Sequence, residues 1–99
     1  MTGNDWLALT ILDDEWRPRR ILPLRRGLHV VLPDLLLEES QWIALVQQRP
    51  DGQSALPGPA DVQLTRALVR SFRPLDLRLA DHRIHARDQR FSFRAAGLL

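Results

Sequence analysis

The chain contains no cysteine, no lysine and no tyrosine. Without cysteine there is no disulfide scaffold, no thiolate zinc site and no cysteine nucleophile. A small domain made this way is at home in a reducing compartment, and the expectation is a cytoplasmic protein. Without lysine, Schiff-base chemistry is excluded, as is any phosphate loop that relies on a lysine. The five glycines are scattered, so no glycine-rich dinucleotide fingerprint is present. No apolar run approaches the roughly 18 residues of a membrane span, and the first residues lack the basic–apolar–small layout of a signal peptide. The sequence therefore predicts neither a membrane span nor export by a recognisable signal.

What is present fits one small domain covering residues 1–99, with 44 % hydrophobic residues to build a core. A domain of this size buries only about 60–65 % of its unfolded surface, so a homodimer interface would add useful stability. All fourteen basic residues are arginine, and with nineteen leucines this fits a GC-rich genome. The net charge is +2 and the pI about 10.9. That high pI records a lack of groups titrating between the carboxylates and the arginines, not a highly basic protein.

Along the chain, Trp6 to Leu12 reads as a buried strand ending in the polar turn Asp13-Asp14-Glu15. A second extended piece spans Arg20 to Leu24, with Pro23 at an edge or bend, and Leu28 to Leu32 reads as a third strand. Pro33-Asp34 has the look of a helix start, with the helix running to about Gln48; a strand from Trp42 to Gln47 is the alternative over the same stretch. Three prolines and two glycines between Arg49 and Ala60 make a loop. The next helix is clearer: Leu64, Ala67, Leu68 and Phe72 form one stripe opposite Gln63, Arg66, Arg70 and Arg73, and Pro74 stops it. In the last quarter, Leu75, Leu77 and Leu79, then Ile84 and Ala86, then Phe91 and Phe93 alternate with polar residues. The polar pairs Asp81-His82 and Asp88-Gln89 interrupt them, which predicts a three-stranded antiparallel meander with one wet face. The expected fold is α+β: an N-terminal β-meander, one or two helices, and a C-terminal three-stranded meander with an arginine-rich exposed face.

That wet face is the main functional candidate. The alternation places Arg78, Arg83, His85, Arg87, Arg90 and Arg94 on one side, and Arg66, Arg70 and Arg73 of the preceding helix lend support. From Val62 onward there are eight arginines against three aspartates, whereas the first fifty residues hold six arginines against seven acids. Guanidinium forks suit carboxylates and phosphates. Phe91 and Phe93 point inward, which leaves no stacking platform for single-stranded RNA. The expected function is a non-enzymatic bacterial adaptor that docks an acidic protein partner. The alternative is a nucleic-acid-associated protein making non-specific phosphate contacts through the same face.

Other patterns read as structure. His82 and His85 are three apart, which on a strand points them to opposite sides and argues against a shared metal. Asp76, His85 and Ser92 fall on neighbouring predicted strands but lack a nucleophile turn or oxyanion loop. Asp13-Asp14-Glu15 lacks the ligand spacing of a calcium loop. Trp16, beside Arg17, Arg19, Arg20, Arg25 and Arg26, reads as a cap on the core at a hairpin. No catalytic residue, cofactor or metal is expected.

Overall fold

The computed structural model describes residues 6–99. It contains strands β1 (Trp6–Leu12) and β2 (Pro18–Pro23), helix α1 (Leu28–Leu37), β3 (Trp42–Gln48), helix α2 (Pro59–Phe72), a 3-10 turn (Arg73–Leu75), β4 (Arg78–Ala86) and β5 (Gln89–Ser92). The five strands form one sheet in the order β2-β1-β3-β4-β5. Only β3 and β4 run parallel, and α2 is the crossover between them. The fold is α+β, as its sequence suggests.

β1 sits between β2 and β3 and is apolar on both faces, as a central strand requires. Leu9, Ile11, Ile43, Leu45 and Leu79 face the helices and pack with Val31 and Leu35 of α1 and Leu68 and Phe72 of α2. Each such fully buried side chain contributes about 1.5–3 kcal/mol relative to exposure. On the opposite face Leu12, Ala44 and Ala80 form a smaller cluster beside Trp42. A third cluster joins Ile84 and Ala86 of β4 to Ala55 and Phe93.

Three expectations are corrected. Leu28–Leu32 is the start of α1, not a third strand: a short apolar run carries no period that separates helix from strand. Gly27, with φ +98°, makes the sharp entry, and Pro33 lies inside the helix. That helix ends at Leu37, so the predicted helix from Pro33 to Gln48 gives way to the alternative, a strand at Trp42–Gln48. Ser40 marks the break, its hydroxyl donating to the Leu12 carbonyl and accepting from the Trp42 N–H at 3.2 Å.

The C-terminal meander is a two-stranded hairpin on a parallel neighbour. Leu75 lies in the 3-10 turn, and β4 passes straight through Asp81-His82. Ile43 faces Leu79 and the next residue, Ala44, faces Asp81, so Ala80 is extra on its strand, a β-bulge. The bulge moves the inward set from Leu79 to His82, Ile84 and Ala86. A change of phase in the apolar alternation imitated a turn.

Candidate functional site

Ligands of open α/β sheets gather at the carboxyl ends of parallel strands, next to the crossover helix. Here that end is formed by Gln47 and Gln48 of β3, His85 of β4 and the start of α2. β3 leaves the sheet at Arg49, whose N–H donates to the His85 carbonyl at 2.8 Å. Pro50, the turn around Gly52 (φ +89°) and Pro57 then lead to α2, where Pro59 starts the helix. Asp61, three residues past Gly58, reaches back and accepts the Gly58 N–H at 2.7 Å. Glycine has no side chain to return the bond, so this is half of a capping box.

The Arg49 guanidinium turns inward across this loop. It donates to the Ser54 and Leu56 carbonyls at 2.8 Å each and forms an ion pair with the Asp61 carboxylate. Both side chains are largely buried. Burial works to raise the Asp61 pKa, but the Gly58 N–H and the Arg49 guanidinium outweigh it and hold the carboxyl below its usual 3.8.

Below this pair lies His82, completely buried and stacked on Phe93 with ring centroids 4.3 Å apart. Its Nδ1 is 2.6 Å from the Thr65 hydroxyl and its Nε2 is 3.3 Å from Gln47 Oε1. Each ring nitrogen therefore has a polar partner, and the Thr65 hydroxyl also lies 3.0 Å from the Asp61 carbonyl, which ties the ring to the first turn of α2. Burial is the main cause that drives its pKa from 6.5 to about 4, against the pull of Asp61 and Asp81 and with a push from Arg49. His82 is a core histidine on a continuous strand, not a residue of the predicted Asp81-His82 turn; Asp81 beside it accepts from the Ser92 hydroxyl at 2.6 Å and the Arg94 N–H at 3.0 Å. Ser92 is thus engaged with Asp81 and is no part of a triad.

A groove of about 840 Å³ opens beside the cluster, between β1–β2 and the first turns of α2. Trp6, Leu7, Ile21 and Leu64 give it apolar walls, and Gln47 and Asp61 reach its floor.

The model of the RadC-like JAB domain matches residues 27–98 of this chain, from the entry of α1 to the segment after β5. The chain belongs to the RadC-like JAB domain family. A UPF0758 protein of Chloroflexus aggregans is 38 % identical over 68 residues, a stretch covering 69 % of this chain and 29 % of that relative. The chain thus spans less than a third of the length of the curated relative it matches.

Family membership overturns the expected function, a non-enzymatic adaptor docking an acidic partner on an arginine face. The nine residues named for that role are divided between two places. Arg66 and Arg70 lie on α2 and Arg73 at its C-cap, and Arg78 and Arg94 meet them around a second cavity. Arg83, His85, Arg87 and Arg90 lie along the hairpin instead. There Arg83 pairs with Asp81 at 3.1 Å, and Arg90 donates to the carbonyls of Arg87 and Gln89. His85 is half-buried, its pKa lowered by burial and then by Arg90 and Arg83.

The JAB superfamily is metalloprotease-like, which raises the question of a metal. Among the described residues no group of three or more His, Cys, Asp and Glu is placed to hold one. In the cluster built above, Asp61 is taken by Arg49 and Gly58, Gln47 offers only an amide, and both His82 nitrogens are engaged. The residues present do not fit a catalytic metal. Sequence reasoning missed Gln47, Arg49, Asp61 and Thr65. The available signal was Asp61, three residues past Gly58 at a proline-led helix start.

Proposed function

We propose that this chain is a RadC-like JAB domain that does not carry out metal-dependent hydrolysis, and that its groove holds an extended polypeptide without cutting it. The observation that carries this reading is the Arg49–Asp61 pair: a fixed positive charge lies against the buried Asp61 carboxylate near the carboxyl ends of β3 and β4. A guanidinium at that place repels a divalent cation and occupies the oxygens that would bind it. The groove keeps the apolar walls and polar floor suited to a polypeptide, the substrate class of a metalloprotease-like superfamily.

The test is metal analysis of protein purified from zinc-supplemented cells and passed through gel filtration, paired with casein digestion in the presence of zinc. Expected are far less than one zinc per chain and no release of peptides. Stoichiometric zinc together with zinc-dependent proteolysis would overturn the proposal.

A further inference from the structure

The second cavity lies away from the groove, between the C-terminal half of α2, the start of β4 and the segment after β5, and encloses about 850 Å³. Five arginines line it, Arg66, Arg70, Arg73, Arg78 and Arg94, against one acidic side chain, Asp76. Among the described residues none of these five guanidinium groups is in an ion pair. Arg66, Arg70 and Arg73 are spaced four and three apart along α2 and its C-cap, so their charges repel along a single stripe.

Two of the five are held in place from behind. The Arg94 guanidinium lies 5.2 Å from the centroid of the Trp16 ring, and its Nε donates to the Ala80 carbonyl at the edge of β4. The Arg78 guanidinium lies 5.6 Å from the centroid of the Trp42 ring, and the two indoles pack together at 5.1 Å. Trp16 holds a left-handed backbone, φ +64°, which is costly for a bulky residue. An indole engages the face of a guanidinium and leaves its N–H edge for a ligand. Val69, Leu79 and Leu99 supply an apolar wall.

We propose that this cavity binds a small organic anion carrying two or more phosphates. A monocarboxylate would leave most of the positive charge unanswered, whereas a diphosphate presents several oxygens to several forks. The volume is that of a small-molecule site, and the leucine wall suits an organic body attached to the phosphates. The inference is independent of how the groove is used.

Calorimetric titration of the whole chain with ADP, pyrophosphate, AMP and sulfate tests it. ADP and pyrophosphate should bind saturably, and AMP and sulfate about tenfold more weakly or not at all. Pyrophosphate matching ADP would assign the site to the phosphates alone, and ADP binding more tightly would give the leucine wall a part. The double variant Arg70→Gln/Arg73→Gln, on an exposed helix stripe, should lose about tenfold or more in affinity. Arg87→Gln/Arg90→Gln, which removes the same charge from the hairpin, should lose none. Absence of saturable heat with ADP and pyrophosphate, equal affinity for sulfate, or equal loss in both double variants would each overturn the proposal.

Discussion

Acid should weaken this fold well before its carboxylates protonate, and His82 is the reason. In the unfolded chain an imidazole takes its proton near pH 6.5, but the buried ring does so only near pH 4. Between those values the unfolded state binds a proton that the folded state refuses, so falling pH favours unfolding. The contribution is fully present above pH 6.5 and is lost by about pH 4. At about 1.4 kcal/mol for each tenfold change in proton activity, the loss approaches 3 kcal/mol. Asp61 and Asp81 are held below 3.8, so their own losses come at lower pH and leave this window clear. Urea denaturation followed by tryptophan fluorescence, at steps from pH 7 to pH 4.5, measures the slope. His82→Leu, which keeps an apolar group against Phe93, should flatten it, and His85→Gln should remove only a minor share. A slope unchanged by His82→Leu would refute the argument.

Two further perturbations bear on the same region. Arg49→Met should destabilise by about 3 kcal/mol in urea denaturation, because it leaves Asp61 buried without its counter-charge and frees the Ser54 and Leu56 carbonyls. Ser92→Ala should cost about 1 kcal/mol by the same measurement, since Asp81 keeps its bonds from the His82 and Arg94 N–H groups.

Much of the architecture is legible in the residues. The strand at Trp6–Leu12 and the helix ended by Pro74 follow from apolar pattern and punctuation. α1 is hidden because Leu28–Leu32 is apolar at every position but His29, and Pro33 inside a helix contradicts the usual rule. The Ala80 bulge is hidden because an extra residue and a tight turn leave the same mark on a one-dimensional pattern. The polar cluster was illegible for a different reason. Gln47 lies 35 residues before His82, and only the parallel pairing of β3 with β4 brings the two together; the Arg49–Asp61 pair depends on how the loop between them folds back onto the start of α2. The arginines were visible from the start, but their division between a cavity and a hairpin depends on how α2 and the end of the chain pack against the sheet.

The positive charge that clasps the 49–61 loop is synthesised with the chain. An ion held by ligands can be scavenged, exchanged or left unloaded, and each gives a loop that must wait for its cargo. A guanidinium carried by Arg49 cannot be chelated and does not compete with other ions for its place. The loop is therefore ordered as soon as the strand and helix on either side of it meet, whatever the metal supply of the cell.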